Sequence, residues 1–381
     1  MNKQVYIFGW NGQLNAGDDA MTSAMVEEIA ARFDDRVDFF IASHSGRLAH
    51  YTARNVNIRA FSLYGSLGKL PLIRRFAALM RIRSIFGKKI DLLIFGGGSI
   101  IQTVGNSKIK EEIVRVAKKH NPSLRVAAVG VSVGPFKNAE SEEAAKSFMR
   151  TLDLVNVRDK RSYDYLQSVD ISVDSRLLPD VALALPLLKK RPVISRNEPA
   201  EAEGLTIGIC LRHGRSKNFY PSLGRLMHKI DELRPGTQFK FFSLSGHTAE
   251  SDSSEAEAFL AWSSVRELDK VAGEVIGYSN SPSEYYNQFE ECDAILCVRL
   301  HAAVFAYSVG VPFAALSYHT KCKDFANLVG LPDDLVLEHG ATEQEADKCA
   351  IRLLQGGHTY LENNGAIKSE ALGHFDFLNE I

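Results

Sequence analysis

Short runs of β-branched and aromatic residues alternate with amphipathic runs along almost the whole chain. That alternation restricts the fold more than any single motif. In the first half, strand-like runs are Val5–Phe8, Val37–Ile41, Asp91–Phe95, Arg125–Val131 and Leu154–Val157. Between them lie helix-like runs at Asp18–Phe33, Lys108–His120, Glu140–Thr151 and Lys160–Gln167. Parallel strands need a long crossover, and a helix supplies it, so the pattern predicts a parallel sheet with helices on both faces. The charged stretch from Leu188 to Glu203 carries two prolines and has little apolar period, and it reads as a linker. Alternation then resumes: a strand at Leu205–Leu211, a helix near Ser222–Leu233, a strand at Gln238–Ser243 and a helix at Glu255–Trp262. A strand near Glu274–Ile276 and a helix at Ser283–Glu290 follow. The expectation is α/β: two open domains of similar size, each with a parallel sheet, and a cleft between them. Their bounds are 1–187, a linker at 188–203, and 204–381. A chain of 381 residues exceeds one ordinary core, which agrees with two domains.

The chain carries a net charge of −1, so nothing global calls for nucleic acid. Its five cysteines form no CxxC pair and lie in or beside apolar runs, which argues for a reducing compartment and against a disulfide framework or a zinc cage. No HExxH, carboxylate-rich histidine cluster, GxSxG elbow or P-loop is present, and no metal is expected. The chain enters a strand directly, with no basic region leading a long apolar stretch, and no run reaches membrane-spanning length. A cytoplasmic protein is expected.

Chemistry concentrates where strands end. Asp293–Val298 reads as a buried strand and Ala302–Val309 as a core helix, and Arg299-Leu300-His301 stands between them. A cation and an imidazole thus lie at a strand's carboxyl end beside free helix N–H groups, where open α/β sheets bind anions. Lys321 follows the next apolar run, Val311–Leu316. Arg158 ends the strand at Leu154–Val157, with Asp159 placed to cap the next helix. It can hold a carboxylate bidentately or pair with a structural acid such as Asp180. Arg212 ends the first strand of the second half, with the same two readings. If the domains face each other, Arg158, Arg212, Arg299, His301 and Lys321 converge on the cleft.

Two glycine-bearing connections accompany these cations. Gly9-Trp-Asn-Gly-Gln-Leu-Asn-Ala-Gly-Asp-Asp-Ala20 leads into a helix. Its backbone N–H groups can cradle an anion, or its glycines serve only a tight turn capped by Asp18 or Asp19. Its spacing is not GxGxxG. Gly96-Gly-Gly-Ser99 ends another strand, and three glycines there suit close approach to the backbone.

Taken in order, Asn15-Ala-Gly-Asp-Asp-Ala20, residues 96–99, Val157-Arg-Asp159, Pro179-Asp180 and Arg299-Leu-His301 with Lys321 resemble the polysaccharide pyruvyltransferases. The matches run from near residue 5 to near 330. The resemblance implies a GT-B-like fold, two Rossmann-like domains with parallel sheets facing a cleft, and transfer of a pyruvyl group from phosphoenolpyruvate to two hydroxyls of one sugar. The products are a cyclic ketal and phosphate. It associates Arg158, Arg299, Leu300, His301 and Lys321 with phosphoenolpyruvate, a co-substrate rather than a cofactor. Asn15, Gly17, Gly97, Gly98, Ser99 and Arg212 join the expected binding set. His301 is the expected proton donor or shuttle, with Arg299 stabilising charge and Asp18 or Asp19 as base. One departure is Ala16, where relatives often carry a small hydroxyl, so a contact there would come from backbone N–H.

Two other readings stay open: a GT-B glycosyltransferase using a sugar nucleotide, and a non-catalytic anion- or glycan-binding protein. The first needs a ribose-binding carboxylate, and the sequence offers no clear one. The resemblance points to a glycan or lipid-linked saccharide acceptor. Between Lys69 and Lys89 lie seven basic residues and no acid, with apolar residues at helical spacing. Such a helix suits peripheral contact with the inner membrane face, or is an ordinary surface helix with its apolar side in the core. Oligomeric state, acceptor sugar and ketal stereochemistry are not written in the sequence.

Overall fold

The computed structural model describes residues 2–43, 46–62, 80–185, 204–246, 251–264 and 273–381. The linker expected at 188–203 and the basic segment up to residue 79 lie outside them. Residues 80–86 are helical, and Ile82 and Phe86 are buried in the core of the first unit. Contacts divide the chain into one unit of Met1–Gln13, Asp18–Pro186 and Glu370–Ile381, and another of Leu14–Gly17 and Leu187–Ser369. Two short pieces thus group differently from the expected bounds: Leu14–Gly17 with the second unit and Glu370–Ile381 with the first.

The first unit holds strands β1 (Lys3–Asn11), β2 (Val37–Ser43), β3 (Asn57–Phe61), β4 (Leu92–Ile101), β5 (Arg125–Val133), β6 (Leu154–Val157) and β7 (Asp174–Leu177). They form one parallel sheet in the order β3-β2-β1-β4-β5-β6-β7. The helices are α1 (Ala16–Arg32), α2 (Val104–His120), α3 (Ala139–Met149) and α4 (Lys160–Ser168). The central strands are long buried apolar runs, as sheets covered on both faces require. Tyr6 stacks on Phe40 at 4.5 Å between centroids, and Phe95 meets Phe148 edge-on at 5.0 Å. The edge strands β3 and β7 carry Asn57, Arg59, Asp174 and Arg176 and are largely exposed, so they lack the apolar signature.

The second unit holds β8 (Thr206–Cys210), β9 (Gln238–Phe242), β10 (Gly273–Ile276), β11 (Ala294–Cys297), β12 (Phe313–Ser317) and β13 (Val336–Glu338). Its parallel order is β10-β9-β8-β11-β12-β13. Its helices are α5 (Tyr220–Leu233), α6 (Asp252–Ser264), α7 (Pro282–Glu290), α8 (Leu300–Val309), α9 (Thr320–Val329), α10 (Glu343–Leu354) and α11 (Asn364–Leu372). Helix α8 is buried on nearly all sides, and Gly310 closes it in the left-handed region at φ 74°.

Each sheet reverses its strand order once, between β1 and β4 and between β8 and β11. The two connections leaving such a point diverge to opposite faces, which opens a crevice at the carboxyl ends of those strands. Among the described residues no helix is long and apolar enough to cross a membrane.

Candidate functional site

In the second unit the crevice lies between β8 and β11. Cys210 of β8 pairs in register with Cys297 of β11. Arg212 and Arg299 each stand two residues beyond that pair, so sheet register alone delivers two guanidinium-bearing residues side by side. The five cysteines are free and buried. Burial pushes the Cys292, Cys322 and Cys349 thiols up to about 12, which makes them packing residues and not nucleophiles.

The two arginines differ in company. Arg299, the residue before α8, donates from Nη2 to Asp252 Oδ1 at 2.7 Å, and its Nε lies 2.5 Å from Asp252 Oδ2. The Asp252 side chain is 0% exposed and also accepts the backbone N–H of His213 (3.1 Å) and Ser245 (3.0 Å). One buried carboxylate therefore ties the ends of β8 and β9 to Arg299. Glu255, one turn later on α6, accepts Gly214 N–H at 3.0 Å and the Tyr220 hydroxyl at 2.8 Å. Arg212 has no carboxylate partner among the described residues. Its Nη1 donates to the Tyr318 hydroxyl, and its guanidinium carbon lies 4.8 Å from the Tyr318 ring centroid. Burial raises the Tyr318 pKa, while the charges of Arg212 and Arg299 pull against it.

His301 lies in the first turn of α8. A Cβ placed on Gly17 would stand 2.0 Å from His301 Nδ1, so residue 17 must be glycine for the imidazole to sit there. Asn15 Oδ1 accepts Gly17 N–H at 3.1 Å and caps α1. Asp18 and Asp19 occupy the first turn of α1, so neither is the cap expected from sequence. Ala16 N–H donates to Leu244 O at 2.9 Å, and Asn15 pairs with Ser245 in an isolated bridge. The backbone N–H groups of Ala16 and Gly17 thus each have an acceptor within the chain. Lys321 opens α9 as its second residue, and its N–H donates to His319 Nδ1 at 3.2 Å.

In the first unit the crevice lies between β1 and β4. The glycine run sits inside β4 and not after it, since β4 continues to Ile101. Its approaching partner is α1. A Cβ on Gly96 would meet Met25 Cε at 2.4 Å, one on Gly97 Met21 Cε at 3.0 Å, and one on Gly98 Asp18 Oδ1 at 3.1 Å. Gly97 and Gly98 also hold φ of 70° and 71°. These glycines let a helix lie on the strand, and they present the Asp18 carboxylate at its end. Ser99 is exposed. Asp19 is buried, and the Tyr51 hydroxyl donates to it at 3.3 Å.

Arg158 follows β6 and forms a buried ion pair with Asp180, the two side chains being 7% and 5% exposed. Asp180 in turn accepts Ala182 N–H at 3.0 Å. The structural pairing weighed from sequence is therefore formed. Arg158 Nη1 also lies 3.2 Å from Met21 Sδ, which joins it to the α1–β4 contact. Asp159 caps α4 through Ser162 N–H at 3.0 Å. The site residues absent from the sequence reading are Asp252 and Tyr318. Asp252 lies in a polar Ser-Asp-Ser-Ser-Glu run that offers no signal. The one sequence signal at Tyr318 is its position one residue past β12.

A cavity of about 110 Å³ lies elsewhere, at the amino ends of β5, β6 and β7, lined by Arg125, Asp153, Asp174, Arg176 and Asp376 among others. Its arginines pair with Glu380 and Asp376, so it is a seam under the docked carboxyl-terminal helix and not a ligand crevice. Among the described residues no group of three or more His, Cys, Asp and Glu could hold a metal ion.

A family model described as polysaccharide pyruvyl transferase matches residues 15–320. No curated protein matches the sequence. Solved structures match along nearly the whole chain. UDP-GlcNAc 2-epimerase from Methanocaldococcus jannaschii is 12% identical, with 100% of both chains covered and a TM-score of 0.61. Sucrose-phosphate synthase from Thermosynechococcus elongatus is 12% identical, covering 99% of this chain and 96% of its own, at 0.58. A lipopolysaccharide outer core galactosyltransferase is 12% identical, covering 99% and 100%, at 0.59. At such identities these likenesses establish the two-domain GT-B fold and nothing of the chemistry.

Proposed function

This chain belongs to the polysaccharide pyruvyl transferase family, and on that premise we propose that it moves a pyruvyl group from phosphoenolpyruvate to two hydroxyls of one sugar. The observation that carries the donor assignment is the β8–β11 crevice. Two arginines emerge there in register, and one of them lacks a carboxylate partner among the described residues. Phosphoenolpyruvate carries a carboxylate and a phosphate, and it calls for such an excess of fixed cations.

In the proposed reaction a proton is added at C3 of the enol, which makes C2 electrophilic. One sugar hydroxyl adds at C2 and loses its proton. The C2–O bond to phosphate then breaks, and the second hydroxyl closes the ketal as it gives up its proton to the departing phosphate or to solvent. Arg212, Arg299 and Lys321 hold the anion and stabilise the leaving phosphate. His301, fixed against Gly17, carries the proton to C3. In the first unit Arg158, its charge already answered by Asp180, is read as a structural cation, and Asp18 is assigned as the base on a sugar hydroxyl. The acceptor is a surface polysaccharide or its lipid-linked precursor, which suits the basic segment 69–89 at a membrane face.

The sugar-nucleotide reading fits the crevice less well. A nucleotide diphosphate would draw on loop N–H groups at the ends of β8 and β9, and those of His213, Gly214 and Ser245 are held by Asp252 and Glu255. Mass spectrometry of candidate glycans after incubation with phosphoenolpyruvate tests the proposal. The expected result is the added pyruvyl mass with release of one phosphate. Release of a nucleotide diphosphate from a sugar nucleotide, with no turnover of phosphoenolpyruvate, would overturn it.

A further inference from the structure

Tyr318 stands one residue past β12, the strand beside β11, and it receives a hydrogen bond from Arg212. A guanidinium has only donors, so the phenolic oxygen must be the acceptor, and the hydroxyl's own hydrogen points elsewhere. Among the described residues nothing accepts that hydrogen. The phenol is partly buried, with Arg212 against its ring and the charge of Arg299 also felt at its oxygen. Burial raises its pKa, so it remains a donor at neutral pH. A donor hydroxyl held against a guanidinium, with no acceptor of its own among the described residues, is completed by an oxyanion.

We propose that Tyr318 is a further substrate-contacting residue, whose O–H donates to an oxygen of the anion that Arg212 and Arg299 hold. This rests on the phosphoenolpyruvate reading above, and it assigns the phosphate or the carboxylate end of that molecule a third, uncharged donor. The hydroxyl adds direction that two cations alone do not. A guanidinium attracts any nearby anion, whereas a phenol fixed by its ring accepts one line of approach.

The test is Tyr318→Phe, which keeps the ring under Arg212 and removes the hydroxyl, with thermal unfolding as the control for folding. Calorimetry with phosphoenolpyruvate, inorganic phosphate and pyruvate is run on both proteins beside phosphate release. The expected result is a loss of about 10- to 100-fold in kcat/KM for phosphoenolpyruvate, the size of a charge-assisted hydrogen bond. Affinity should fall for inorganic phosphate or for pyruvate, which identifies the end that Tyr318 touches. A purely structural role in steadying Arg212 is separated by repeating the change in an Arg212→Ala background. A further several-fold loss there supports direct contact, and no further loss overturns it. Equal affinities and rates for the unmodified and Phe proteins would overturn the proposal and leave the donor reading standing. If the unmodified protein binds neither phosphoenolpyruvate nor phosphate, the donor reading itself has failed.

Discussion

The two units end their strands in arginine in different ways. In the first, Arg158 is sealed against Asp180, with both side chains under a tenth exposed, so charge is matched one to one. In the second, Arg212 and Arg299 emerge together, Asp252 answers Arg299, and among the described residues Arg212 meets a phenol and no carboxylate. A matched buried pair holds structure and has little attraction left for a ligand. An unmatched cation in a crevice costs stability until an anion arrives. The same residue type at the same place in the same fold thus serves two ends, and the partner decides which.

Substitution of the two arginines breaks the comparison most sharply. Arg212→Ala should lower phosphoenolpyruvate-dependent phosphate release by about 10³-fold. Its effect on urea unfolding should stay under about 1 kcal/mol, because no buried carboxylate is left behind. Arg158→Ala should instead destabilise the fold by about 3–5 kcal/mol by stranding Asp180. Equal destabilisation by both would remove the distinction between a structural and a receptive arginine.

The glycines give the next largest contrast. Gly17→Ala drives a methyl into the His301 ring and should cut turnover by about 10²-fold through displacement of the imidazole. Gly98→Ala, at φ 71°, should appear chiefly as about 1–3 kcal/mol of lost stability in urea unfolding. Unchanged turnover in folded Gly17→Ala protein would remove His301 from the proton path.

A smaller effect concerns pH, and it belongs to the first unit. His374 is fully buried, its Nε2–H donates to Pro179 O at 2.8 Å, and burial holds its pKa down at about 4. Above about pH 6.5 the residue is neutral in both folded and unfolded chains and contributes nothing. Below that the unfolded chain takes up a proton that the folded one refuses, so stability falls as pH drops toward 4. Between pH 8 and 5 the loss should be about 2 kcal/mol. Urea unfolding at the two pH values checks it, and His374→Gln should flatten the difference.

The smallest expected effect is none at all. The five buried thiols should stay unmodified by a thiol reagent at pH 8 in folded protein and react on unfolding. Fast reaction of any one in the native state would mean that the second unit opens more readily than its packing implies.

Much of the core architecture was legible because central strands and crossover helices are buried and must be apolar. Leu154–Val157 and Lys160–Gln167 announce themselves in this way, whereas the edge strands β3 and β7 face solvent, carry charges and do not. Arg299, His301 and Lys321 could be picked out because each interrupts an apolar pattern where a strand yields to a helix. Asp252 and Tyr318 could not be assigned a role, since their meaning depends on neighbours 47 and 106 positions away.

By itself the sequence determined the α/β class, the alternation of elements and the cations at strand ends, because periodicity and burial are local properties of a chain. Only the tertiary structure decided which cation is spent on a carboxylate, why Gly17 must lack a side chain, and that the β4 glycines serve helix packing. Those outcomes rest on distances between segments remote in sequence, and no local pattern encodes a distance.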